Sequence, residues 1–237
     1  MIPNRPRGLH GQTVELLASR ILSNEFAEGT VLDLPALRAE LDVSLTALRE
    51  ALKVLTAKGM IDARQKRGTF VQPRARWNFL DADVMRWQTA AAAATDPDLF
   101  DELTEVRAVV EPAAARMAAE RADDTDLRAL ADALRRMAEA GADLDAMVAA
   151  DLEFHRLLLA ATHNNFLLQI ERVIAIGLAE RDKLVHGTTQ ADDPVPSHQA
   201  VYDAIAARDP EAAETAMRAL VDKSSADLKQ ATRGRRT

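Results

Sequence analysis

Cysteine is absent from the 237 residues, and aromatic residues make up only 4% of them. The first absence excludes disulfides and thiolate metal sites, and it fits a reducing compartment. The second, set beside abundant alanine, favours closely packed helices over sheets. No apolar run approaches the length of about eighteen residues that a membrane-spanning helix needs. The opening stretch MIPNRPRGLHGQ has no apolar signal core, so a cytoplasmic location without membrane attachment is the expectation. What is present, 48% hydrophobic and 28% charged residues, is the balance of a globular chain long enough for one large domain or two modest ones.

The net charge of −7 argues by itself against nucleic acid, but the charge is unevenly spread. Residues 1–76 hold 12 Lys+Arg and 8 Asp+Glu, whereas the remainder holds 18 and 29. A basic front on an acidic body suggests a module that meets an anion, carried by one that does not.

The front reads as helix, turn, short helix, turn, helix and small hairpin. An amphipathic helix over about Leu9 to Asn24 puts Val14, Leu17, Ala18 and Ile21 on one face. Pro35 suits the first turn of a short second helix. Ser44 caps a third helix that runs to about Lys58, with Leu48, Leu52 and Leu55 inward and Gly59 ending it. Met60–Arg64 and Thr69–Val71 then read as strands around the turn Gln65-Lys66-Arg67-Gly68. This order is a winged helix-turn-helix, whose third helix enters the major groove with its N-terminal residues at base edges. Ser44, Thr46, Arg49 and Lys53 are its outward polar positions. Lys66 and Arg67 offer cations to phosphates, and Gly68, beside Thr69, permits close backbone approach. The alternative is a surface helix carrying a solvated charge run.

VSLTALREALKVLTAKGMIDARQKRGTFV resembles the DNA-binding module of the GntR-type bacterial regulators. The resemblance implies double-stranded operator DNA as partner and carries Thr46, Arg49 and the Lys66–Gly68 tip over as contacts. It departs at Leu45, where the family usually has an operator-contacting arginine, and at Pro35, where an arginine often sits on the preceding helix. Arg38 is a local candidate to substitute.

Residues 1–73 are therefore expected to form the DNA-binding domain and 74–95 a linker with a docking helix, its apolar face made by Trp77, Phe79, Leu80, Val84 and Trp87. Residues 96–237 are expected to form an antiparallel all-helical bundle. Asp96 and Pro97 start its first helix, Pro112 should kink it, and Asp209 with Pro210 starts the last.

Within the bundle, DLEFHRLLLAATHNN carries Asp151 and His155 at i and i+4, so both emerge on one face of an otherwise apolar helix. His198 lies on another helix. VRAVVEPAAARMAA, this stretch and SHQAVYDAIAARDPEAAETAMRAL resemble, in that order, the helical effector domain (FCD-type) of the FadR branch of the same family. WNFLDADVMRW resembles the sugar-acid-responsive regulators of the galactonate-repressor type. These resemblances imply a homodimer, a near-palindromic operator and a small carboxylate effector, an aldonate among the candidates. They also imply a divalent metal, zinc foremost, held by Asp151, His155, His198 and one more histidine. Leu220 occupies that fourth position, so the site is incomplete. Three readings stay open: a three-ligand metal site, polar effector contacts without metal, or core residues paired with one another.

Arg107 suits an effector carboxylate, its alternative being a pairing with Glu111 at i+4. Asn165 and Arg181 are further effector candidates, with capping or surface roles as alternatives. A metal-dependent hydrolase would need a positioned base beyond the ligands, which the sequence does not offer. A regulator whose effector is the metal itself is the other rival. The expectation is a regulator, not an enzyme.

Overall fold

The computed structural model describes residues 9–95, 99–186 and 193–233. The chain divides into two compact units, Met1–Asp96 and Pro97–Thr237.

The first unit contains α1 (Leu9–Leu22), α2 (Leu34–Glu40), α3 (Leu45–Ala57), β1 (Ile61–Arg64), β2 (Gly68–Val71) and α4 (Ala82–Thr95). Asp33 and Ser44 start α2 and α3 by accepting from the backbone N–H of Ala36 and Ala47, each at 3.1 Å. Val14, Leu17, Ala18 and Ile21 of α1 join Leu48, Leu52 and Leu55 of α3 in one apolar cluster, which fixes the outward face of α3. Gly59 ends that helix at φ 75°, and a side chain there would run into the Arg76 carbonyl. β1 and β2 pair antiparallel from Ile61↔Val71 to Arg64↔Gly68.

The wing has a third component that the sequence pattern does not announce. Thr30 accepts from Val71 N–H at 3.0 Å and Leu32 donates to Thr69 at 2.8 Å, bridging Val31 to Phe70. Residues 74–95, expected as linker and docking helix, fall within the first unit. A single acid fastens α4 to α1: Glu15 accepts from both terminal nitrogens of Arg86, at 2.5 and 3.2 Å, and from Trp87 Nε1 at 2.7 Å. Lys58, at the end of α3, reaches Asp81 at 2.6 Å and Asp83 at 2.8 Å. Leu80 is exposed rather than on the expected apolar face, because the chain turns at Asn78–Asp81 before α4 begins.

The second unit contains α5 (Leu99–Arg121), α6 (Asp124–Ala140), α7 (Leu144–Ala160), α8 (Asn165–His186), α9 (Val195–Ala206) and α10 (Pro210–Arg233). The expected Asp96–Pro97 start lies outside the described residues, and α5 continues through Pro112 as one helix. Asp209 caps α10 through Ala212 N–H at 3.0 Å. α5 packs along α10, α7 packs against both α6 and α8, and α9 packs on α10. Ala114, Ala115, Ala118 and Ala119 are all buried, so the inner side of α5 is flat enough for close helix approach. Phe154, Leu158 and Leu159 hold α7 in the same core, which turns Asp151 and His155 inward. Among the described residues no helix is long and apolar enough to cross a membrane.

Candidate functional site

In the first unit, the N-terminal turn of α3 and the tip of the wing are open to solvent. Ser44, Thr46 and Arg49 are exposed, although the Ser44 side chain is engaged in capping. Lys53 is exposed and paired with Glu50 at 2.7 Å. Lys66 is exposed at φ 68°, and Gly68 follows at φ 84°. The Arg67 guanidinium stacks 3.6 Å from the Phe70 ring centroid, so the wing core pre-orients it. Thr69 is half-buried, and its carbonyl is taken by Leu32. Arg38 is exposed on α2, and Leu45 is exposed at the first position of α3.

In the second unit, α7 and α9 bring Asp151, His155 and His198 together, all buried, with their ligand atoms within 4.8 Å of one another. Asp151 Oδ1 is 3.0 Å from His198 Nε2, and Oδ2 is 3.7 Å from His155 Nε2. The two Nε2 atoms face each other at 3.4 Å. His198 Nδ1 donates to the Pro194 carbonyl at 2.8 Å, which fixes the ring with Nε2 toward the acid. Phe154 meets both imidazoles edge-on. The chemistry of this donor set, one carboxylate and two oriented imidazole nitrogens, suits zinc or a similar divalent ion. Among the described residues no fourth His or carboxylate joins them, and Leu220 is a buried apolar contact on α10.

Arg107 borders this cluster. Its Nε and Nη2 donate to Glu111 at 2.7 and 3.2 Å, its Nη1 donates to Ser224 Oγ at 3.1 Å, and Nη2 lies 3.3 Å from His155 Nε2. The pairing with Glu111 and the placement beside the histidines are thus both realised. Glu111 Oε2 is also 3.2 Å from His155 Nδ1, though off the line of a hydrogen bond. Burial pushes the Glu111 carboxyl up, but Arg107 and then His155 outweigh it and hold the group down at about 2. Asp151 is likewise held well below the carboxylate range: burial opposes ionisation, and His155, His198 and Arg107 overcome it. Burial lowers the His198 imidazole, while Asp151 and the Pro194 carbonyl more than reverse that.

Arg181 is buried and donates to the Ser224 carbonyl, so α10 meets both arginines at one residue. Asn165 is exposed at the start of α8, in keeping with the surface alternative, and the neighbouring Asn164 makes the cap, accepting from Phe166 N–H at 3.0 Å. His163 is exposed beside Asp126 at 2.8 Å, and the His186 side chain lies outside the described residues. Sequence reasoning missed Ser224, whose signal is its place one helical turn beyond Leu220, and Glu171.

Glu171 is a buried carboxyl on α8 without a hydrogen-bonded partner among the described residues. Burial pushes it up to about 7; Glu153 and Glu111 add to this, and Arg156 and Arg172 offset part of it. A carboxyl raised in the folded state contributes stability that is complete below its unfolded value and lost as pH rises through about 7. Glu171→Gln should therefore stabilise the bundle at pH 8 by about 2 kcal/mol and leave it unchanged near pH 4. Urea unfolding followed by far-ultraviolet dichroism at both pH values checks this; equal effects at the two would refute it.

Residues 9–71 match the profile described as bacterial regulatory proteins, gntR family, and residues 102–223 match the FCD domain. The galactonate operon transcriptional repressor of Escherichia coli is 36% identical over 222 residues, covering 91% of this chain and 95% of that protein. The HTH-type transcriptional regulator LutR of Bacillus subtilis is 30% identical over 83% of this chain and 90% of its own length. Among solved structures, Lar of Listeria monocytogenes, described as controlling expression of the agr system, covers 96% of this chain and 99% of its own at TM-score 0.65. Its 19% identity makes that a likeness of fold.

Proposed function

This chain belongs to the GntR family of bacterial regulatory proteins and is a DNA-binding transcription regulator; from that premise we propose that it is a homodimeric repressor whose operator affinity is set by a small carboxylate, a sugar acid such as galactonate. Two recognition helices related by two-fold symmetry call for a near-palindromic operator. Ser44, Thr46 and Arg49 would meet base edges, and Lys66, Arg67, Gly68 and Thr69 the backbone.

The observation that carries the effector reading is the buried Arg107 beside Asp151, His155 and His198. A buried polar cluster of this size is more than a core needs, and a guanidinium is a fitting end point for a carboxylate. Arg107 is matched by Glu111 and His198 by Asp151, so a carboxylate entering on these residues alone would be an uncompensated buried charge. A divalent ion, zinc foremost, held by Asp151, His155 and His198 would supply the missing positive charge and open positions for the carboxylate. Arg181, through Ser224, would hold the α10 side of the pocket. The effector alters DNA affinity only by binding one arrangement of the two winged helices better than another.

The second reading, that the ion itself is the signal, is favoured by the same three donors. Operator affinity of the full chain, measured with galactonate and other aldonates before and after chelation, decides between them. The expected result is a shift of about 5- to 150-fold that needs both carboxylate and metal. A shift by zinc alone selects the metal sensor, and no shift with any saturating carboxylate refutes the sugar-acid reading.

A further inference from the structure

Leu45 departs from the rest of α3 in a way the core does not explain. The other leucines of that helix, Leu48, Leu52 and Leu55, are 0 to 7% exposed, whereas Leu45 is 41% exposed. It is the first residue of α3, directly after the Ser44 cap, with exposed Thr46 beside it and exposed Arg49 one turn on. Leu45 and Arg49 are i and i+4, so their side chains emerge together at the open end of the helix. An apolar side chain cannot hydrogen-bond a base edge and is poorly suited to a phosphate. The one feature of a base-pair edge in the major groove that rewards aliphatic contact is the thymine methyl group.

We propose that Leu45 is a specificity-determining residue that packs on a thymine methyl in each operator half-site. This rests on the DNA-binding reading and deepens it. A guanidinium at this position would select guanine through its two acceptors; the isobutyl group selects thymine and excludes the hydrated edges of guanine and cytosine. Arg49, one turn further along, remains free to read a hydrogen-bonding edge. The operator should therefore carry a thymine flanking the base read by Arg49, in both half-sites.

The test starts from the tightest duplex that the full-length protein selects from a random pool. Each thymine is then replaced singly by deoxyuridine, which deletes the methyl and nothing else. One thymine per half-site should show a loss of about fourfold, and about fifteenfold when both half-sites are changed. Leu45→Ala, which keeps a good helix former at an exposed position, should bind the thymine and deoxyuridine duplexes alike at that site. Leu45→Arg should select guanine there. If no thymine shows a methyl effect that Leu45→Ala removes, the proposal is overturned while DNA binding stands. If the protein selects no duplex at all, the DNA-binding reading fails and the proposal falls with it.

Discussion

Glu111→Ala should destabilise the second unit by about 3–5 kcal/mol, the range for breaking a buried ion pair by removing one partner. Arg107 is 1% exposed and Glu111 2%, so no solvent replaces the lost acceptor. The two hydrogen bonds at 2.7 and 3.2 Å form a fork that places a full carboxylate on the guanidinium; the Ser224 hydroxyl and the His155 ring, which also meet it, are weaker partners. Neither supplies the missing negative charge. Glu111→Gln, which keeps an acceptor, should cost about half as much. Replacing both partners, Arg107→Met with Glu111→Leu, should recover most of the stability, because the cost lies in the orphaned charge rather than in the absent pair. That double variant should also fail to bind a carboxylate while remaining folded, which separates stability from effector recognition. Both tryptophans, Trp77 and Trp87, lie in the first unit. Indole fluorescence therefore reports on the first unit, and far-ultraviolet dichroism followed through urea unfolding reads the shift expected for the second. A double variant as unstable as Glu111→Ala would show that shape, not charge, is what the pair contributes.

The elements with a local period were legible before any coordinates. The apolar spacing in α1 and α3, the Ser44 and Asp209 caps and the helix stop at Gly59 each depend on residues within one or two turns. The pairing of Asp151 with His155 on one face follows from the 3.6-residue repeat. The position of His198 opposite them required the resemblance, because nothing local sets which face of α9 meets α7. Long-range partners left no signal at all. Ser224 is 117 residues from Arg107, and Glu15 is 72 from Trp87. Glu15 reads locally as one more surface acid, yet it fastens α4. The strand-like passage at Thr30–Leu32 was hidden for the same reason, since its hydrogen bonds are supplied by β2. Which of two adjacent asparagines caps α8 was hidden as well: both offer the same capping chemistry, and only the backbone turn selects Asn164.

Arg49→Ala should lower operator affinity by on the order of a hundredfold or more, because a bidentate base contact contributes about 1–3 kcal/mol and a two-fold complex loses it twice. Arg49 is the cation on α3 best placed to read a base, since Lys53 is spent on Glu50 at 2.7 Å and Arg49 has no acid partner among the described residues. Its exposure means that the substitution should leave the unfolding free energy within about 0.5 kcal/mol, so lost binding would not be lost folding. Lys66→Ala is the contrasting variant. A lysine at the wing tip meets phosphate, so its removal should weaken selected and random duplexes alike and reduce the salt dependence by about one ion per half-site. Arg49→Ala should instead collapse the ratio between the selected and random duplexes with the salt slope less affected. If Arg49→Ala binds the selected duplex as tightly as the parent protein, α3 is not the reading helix. If the two variants behave alike, Arg49 contacts phosphate, and base recognition must reside in Leu45, Thr46 and the wing.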